Sequence, residues 1–204
     1  MGSPEGRASR VHATRRVVWG AGALLAALIV ATALAPGATT WGTPRAPAAP
    51  GELGPLLAAL TLQSGGGDTP APRFVLRTLE GRAVTAEDFR GKVVLVSFFA
   101  TWCPTCKSEM PALRRLAERF RGTEFVLLMV SYGERGEAVR PFAAELRFAH
   151  EVLLDTHMRV GDDFGVKFLP THYLIGRGGE LVATGVGPKA WDGPAASRLI
   201  GSLL

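Results

Sequence analysis

The sequence predicts an α/β domain, a mixed β-sheet flanked by helices, behind a single N-terminal apolar span. Three observations predict it. Apolar runs of strand length alternate with stretches of helical spacing from Val93 onward, the βαβ order that places helices on the faces of a sheet. Two further apolar runs are joined by Arg177-Gly178-Gly179, a hairpin signal, and are followed by a closing helix. Near the N-terminus, Val17 to Ala35 gives 19 residues without a charge.

That span reaches about 28 Å as a helix, close to the thickness of a bilayer's hydrocarbon layer. Arg7, Arg10, Arg15 and Arg16 precede it and the next basic residue is Arg45. The positive-inside rule therefore predicts residues 1–16 in the cytoplasm, 17–35 as a transmembrane anchor or signal segment, and the remainder outside. Ala33-Leu34-Ala35 has the small-x-small form of a cleavage site, but Pro36 would follow the cut, so an uncleaved anchor is expected. Residues 36–71 turn to Pro, Gly, Ala and Thr and read as a tether, with a short helical patch over Leu53–Leu62. The folded domain is expected over 72–204.

Within it, Phe74–Leu79 and Arg82–Thr85 flank Glu80-Gly81 and predict an N-terminal β-hairpin. Val93–Phe99 reads as a buried strand, Cys103–Arg121 as a helix, Phe125–Val130 as a second apolar strand and 136–147 as a second helix. Thr171–Ile175 and Glu180–Gly185 are the hairpin strands, and Ala195–Leu204 the last helix. The net charge of +5 carries no Lys/Arg cluster interleaved with aromatics, so no nucleic-acid partner is expected.

The chain has only two cysteines, in Trp102-Cys103-Pro104-Thr105-Cys106 at the strand-to-helix junction. Any intramolecular disulfide is therefore Cys103–Cys106. A helix start favours a thiolate, through its unsatisfied N–H groups and its dipole. Cys103 is thus placed to attack and Cys106, one turn inward, to resolve, while Pro104 suits the first helical position. The other uses of this spacing lack their partners. No second CxxC or spaced histidine pair completes a zinc site, Lys107 stands where covalent haem attachment needs His, and a one-cysteine peroxidase would want an upstream Pro and Thr that are absent. Thiol–disulfide exchange is the chemistry left, with metal handling as the alternative.

These residues resemble the thioredoxin superfamily, and within it the membrane-anchored TlpA/ResA-like thiol–disulfide oxidoreductases. The likeness runs from about Pro72 to Leu204. It is carried by Phe98-Phe99-Ala100-Thr101-Trp102-Cys103-Pro104-Thr105-Cys106, the lead-in Gly91-Lys92-Val93-Val94-Leu95-Val96, Pro111 in the helix, Leu169-Pro170-Thr171, Tyr173-Leu174-Ile175 with Gly178-Gly179, and Trp191. The resemblance implies a thioredoxin fold whose Pro170 is cis and packs against the thiols. It also implies a Glu109 that tunes them, with a solvent-facing helix acid as the plain alternative. Trp102, Pro104, Thr105, Leu169 and Thr171 are implied to touch substrate. No cofactor is implied beyond the redox-active disulfide itself.

Two departures stand out. Ser97 occupies the place where cytoplasmic thioredoxins keep a buried Asp, which shifts the proton path toward Glu109 or water. The inter-cysteine pair is Pro-Thr, without the histidine of strong oxidants, and leans toward a reductant. His172 is expected to be a polar strand residue facing away from the thiols. The sequence thus predicts a membrane-anchored extracytoplasmic oxidoreductase. It would reduce disulfides in envelope proteins such as apocytochrome c and draw electrons from a thiol-transporting membrane protein. A disulfide-donating oxidase and a copper-handling accessory protein are the alternatives.

Overall fold

The computed structural model describes residues 51–146 and 152–204, the side chain of Leu146 excepted. The expectations for residues 1–16, 17–35 and the first part of the tether lie outside the described residues. Among the described residues, no helix is long and apolar enough to cross a membrane.

In chain order the elements are α1 (Leu53–Ala59), β1 (Gln63–Ser64), β2 (Val75–Thr78), β3 (Ala83–Thr85), a 3-10 turn (Ala86–Phe89), β4 (Val93–Phe99), α2 (Pro104–Arg119) and β5 (Phe125–Tyr132). They continue with α3 (Gly136–Leu146), β6 (Val152–Asp155), α4 (Arg159–Phe164), β7 (Thr171–Ile175), β8 (Leu181–Val186) and α5 (Pro194–Leu203). The strands form one mixed sheet in the order β1-β8-β7-β4-β5-β6-β2-β3. β4 runs parallel to β5 and β5 to β6, while β7 pairs antiparallel with β4 and β8.

β4 lies inside the sheet and all seven of its residues are buried. This is why it reads as a continuous apolar run rather than an alternation. Its side chains divide between two cores. Val93, Leu95 and Phe99 face α1, α2 and α5, together with Cys106, Leu113, Trp191 and Leu199. Val94, Val96 and Phe98 face Phe74, Phe164 and Tyr173 on the other side. Phe98 stands edge-on to Tyr173 with ring centroids 5.9 Å apart, a favoured aromatic geometry.

The hairpin, the strands and the helices expected after Phe74 are present within a few residues. The tether is not one over its whole expected length. Leu56, Leu57, Leu60 and Leu62 are buried in the core of the α2 face, and β1 pairs with β8 through Gln63↔Thr184 and Ser64↔Ala183. The folded body therefore begins well before Pro72, because three leucines at helical spacing, with Leu62 just after them, find an apolar seat despite the Gly- and Pro-rich flanks. β6 and α4 also interrupt the expected passage from the second helix to the hairpin. β6 is inserted between β5 and β2, so the N-terminal hairpin extends the sheet at the β6 edge.

Candidate functional site

β4 ends at Phe99, and three residues later the chain turns into α2 with Cys103 as its N-cap. Cys103 has an extended backbone (φ −85°, ψ 110°), and its Sγ accepts the Cys106 N–H at 3.2 Å. An N-cap usually offers an oxygen to these unpaired first-turn N–H groups; here a sulfur takes that place. Negative charge on Sγ is therefore met by an N–H and by the positive end of a helix of 16 residues. The Thr105 hydroxyl lies 3.3 Å from the same sulfur. Pro104 opens the helix, where its missing N–H costs nothing. Cys103 and Cys106 are joined as a disulfide with Cα atoms 5.3 Å apart. Cys103 is 4% exposed at the helix tip and Cys106 fully buried behind it.

The loop carrying Cys103 is tied down by a residue the sequence did not mark. The Glu134 carboxylate, in the loop after β5, accepts from Thr101 N–H (2.8 Å), the Thr101 hydroxyl (2.5 Å) and the Ser131 hydroxyl (3.1 Å). Its own carbonyl accepts from Thr156 Oγ1. Glu134 thus ties the approach to the CxxC to the end of β5 through its side chain and to the loop after β6 through its carbonyl.

The Leu169–Pro170 peptide is cis, as the resemblance implies. Register places it at the thiol end of the sheet, since Phe98 is the β4 partner of Thr171. Of the residues expected to touch substrate, Trp102, Pro104 and Thr105 are exposed and Leu169 is half-buried. Thr171 is 2% exposed and its hydroxyl donates to the Phe168 carbonyl at 2.6 Å, which closes the turn. Phe168, not singled out from the sequence, is 69% exposed, like Trp102. Both flank the elements that carry the thiols and the cis proline. A separate cleft of about 380 Å³ involves Val94 at the other end of β4 and includes neither cysteine.

Under α2, the core holds a polar patch. Glu109 is 3% exposed, not a solvent-facing helix acid, because it sits one turn beyond Cys106 on the buried face. Its Oε1 accepts the Lys189 N–H at 2.7 Å and lies 3.2 Å from His172 Nε2. His172 is a correction: it is completely buried and shares the face of Leu174, the face turned toward α2 and Cys106. All of β7 is buried, so nothing in its pattern distinguishes one face from the other. Ser97 is its cross-strand partner and is also fully buried. The Trp191 ring stands edge-on to the imidazole, 5.2 Å between centroids. Burial holds the Lys189 ammonium below the ordinary lysine range, against the opposing pull of Glu109. Its Nζ donates to Thr61 Oγ1 and the Val186 carbonyl.

The arrangement supplies a capped nucleophilic sulfur, a shielded second thiol, an exposed apolar rim and a buried carboxyl behind the dithiol. The two thiols are the parts that dithiol–disulfide exchange requires. The comparisons with known proteins agree. The AhpC/TSA family model matches residues 68–184. Thiol-disulfide oxidoreductase ResA of Bacillus thuringiensis (strain Al Hakam) is 31% identical over 119 residues, 58% of this chain and 69% of that protein. ResA of Bacillus subtilis (strain 168) is 35% identical over 112 residues, 55% of this chain and 63% of that protein. A solved thiol:disulfide interchange protein of the thioredoxin family from Chlorobium tepidum TLS has a TM-score of 0.59 and 25% identity, covering 66% of this chain and 95% of its own.

Proposed function

The chain belongs to the AhpC/TSA family and is a thiol–disulfide oxidoreductase of thioredoxin fold, and from that premise we propose that it is a membrane-tethered, extracytoplasmic reductant of disulfides in envelope proteins such as apocytochrome c. The carrying observation is the unequal pair at the start of α2, with Cys103 Sγ held by the Cys106 N–H and Cys106 fully buried. In the reduced protein the Cys103 thiolate attacks a substrate disulfide and forms a mixed disulfide, releasing one substrate thiol. Cys106 then loses its proton to Glu109 and attacks Cys103 Sγ. The internal disulfide closes, the second substrate thiol leaves, and two electrons have passed to the substrate. A thiol-transporting membrane protein restores the dithiol.

Trp102 and Phe168 give an extended substrate segment two apolar contacts, and the Leu169 backbone beside Pro170 offers it pairing groups, the Pro170 carbonyl being taken by the Gly187 N–H. The Pro104-Thr105 dipeptide supports the reducing direction, since no histidine stands between the cysteines to hold the thiolate and stabilise the reduced form as in strong oxidants. The arginines before Val17 and the uncharged span after them support the tether and its orientation.

A Cys106→Ala variant, expressed at full length in a bacterial envelope, is expected to accumulate mixed disulfides through Cys103. Mass spectrometry of those adducts names the substrate and the electron donor together. Adducts on a Cys103→Ala variant instead would reverse the two roles. A potential near that of DsbA, about −120 mV, rather than toward thioredoxin's, about −270 mV, would favour the disulfide-donating reading. Tight Cu(I) binding with no exchange activity would replace the enzyme reading with copper handling.

A further inference from the structure

Four polar side chains meet under α2 in a core that is otherwise apolar. Ser97, His172 and Trp191 are each 0% exposed and Glu109 is 3% exposed. Among the described residues, Ser97 Oγ, Glu109 Oε2, Trp191 Nε1 and both His172 ring nitrogens have no hydrogen-bond partner. The His172 Nε2 to Glu109 Oε1 contact of 3.2 Å is an ion-pair distance without hydrogen-bond alignment. Buried polar groups in folded proteins are overwhelmingly paired, and one that is not calls for an explanation, a redox or catalytic role among them. The patch lies behind the resolving thiol, since Glu109 follows Cys106 by three residues on the buried face of α2.

We propose that Glu109 and His172 form one acid–base unit, in which His172 is the positioning residue that holds the carboxylate ready to take the Cys106 proton. The unit rests on the reading of Cys106 as resolver. Its members come from two elements, α2 and β7, and the other polar or charged groups facing it are few. They are Ser97 from β4, Trp191 and the Lys189 backbone N–H from the loop before α5, and the Lys189 ammonium, which is engaged with Thr61 and Val186. The imidazole is therefore the titratable group in contact with the carboxylate. A buried carboxylate alone is strongly disfavoured as an ion. Beside a buried imidazole, taking up the Cys106 proton raises the charge of the pair by one.

The resolving step then balances. The Cys106 thiol proton passes to the Glu109–His172 unit as the Cys106 sulfur attacks Cys103 Sγ. The Cys103–Cys106 bond forms, and the bond from Cys103 to the substrate sulfur breaks. The electron pair leaves on that sulfur, which takes a proton from solvent. When a donor dithiol later reduces the internal disulfide, the stored proton returns to Cys106.

The test mixes the reduced full-length protein with 5,5′-dithiobis(2-nitrobenzoate) in a stopped-flow instrument. A first release of thionitrobenzoate reports attack by Cys103, and a second reports resolution by Cys106. The readout is the second rate relative to the first from about pH 5 to about pH 9, the range across which imidazole chemistry is felt. His172→Asn is expected to lower that ratio roughly tenfold at neutral pH, at the low end of general-base effects, and to change the shape of its pH profile. In a Glu109→Gln background His172→Asn is expected to have no further effect, because the two residues act as one. Multiplying effects in the double variant, or a ratio whose pH profile His172→Asn leaves unmoved, would overturn the proposal. If His172→Asn does not fold, His172→Gln takes its place. Glu109→Gln, with the histidine intact, must itself lose the wild-type pH profile, and retention of that profile would also overturn the unit. Failure of the underlying reading looks different: no first release at all, or a second release that survives Cys106→Ala.

Discussion

Cys103 shows how a single position can carry several tasks. Its extended backbone makes it the N-cap of α2, its sulfur satisfies a first-turn N–H, and in the proposed mechanism the same N–H stabilises the attacking thiolate. The cost of holding it in place falls on Glu134, which anchors the preceding Thr101 through two hydrogen bonds. Glu134→Ala leaves the Thr101 N–H without that acceptor in a half-buried loop. It is expected to lower stability by about 1–3 kcal/mol in denaturant unfolding and to slow the Cys103 step by loosening the loop. An unchanged midpoint would show that the tether is redundant. The two cysteines were legible in the sequence because their spacing is the signal, and Pro170 through the resemblance. Glu134 was not legible, because its bond to Thr101 joins two loops 33 residues apart. His172 was misread because every residue of β7 is buried, so no alternation of polar and apolar positions distinguishes its faces.

The elements divide in the same way. β4 and β5, long apolar runs around the active-site helix, were legible because both faces of the sheet are covered and the runs show it. β6 was hidden by its four-residue length; α1 was legible as a short helical patch, but the Pro- and Gly-rich composition around it hid its place in the core. α1 is an element of the fold, since Leu57 is 5% exposed and belongs to the core that contains α5. Leu57→Ala should therefore cost about 2–5 kcal/mol in chemical unfolding. A loss within about 0.5 kcal/mol, as on a surface, would return this segment to the status of a tether. α2 and the approach to α5 are clamped by Arg115, whose Nε and Nη2 donate to Asp192 Oδ2 at 2.9 and 2.7 Å. Arg115 holds the Asp192 carboxyl below its ordinary value of 3.8. A carboxyl lowered by folding contributes stability that is complete above the unfolded value and lost as pH falls through the folded one. Arg115→Gln should therefore lower Tm at about pH 6 and match the parent at about pH 2, with the gap at pH 6 shrinking as salt rises. A gap that persists in acid would mean the arginine acts by packing alone.

For the whole molecule, topology decides what the site can do. The sheet order sets β4 beside β7, so the CxxC loop and the cis Leu169–Pro170 peptide emerge at one end of adjacent strands. The same pairing sets Ser97 against His172 beneath them. An exposed rim with Trp102 and Phe168 above, and a buried polar patch with Glu109 below, are thus two consequences of one strand pair. The division of labour between the thiols is the claim on which the whole account depends. Its most direct measurement is the alkylation of the reduced full-length protein by limiting iodoacetamide near neutral pH, with each modified cysteine located by mass spectrometry. The account predicts that Cys103 is modified first and that Cys106 lags by at least about tenfold, since thiolate character and access both favour the helix tip. Equal modification, or Cys106 ahead of Cys103, would contradict it.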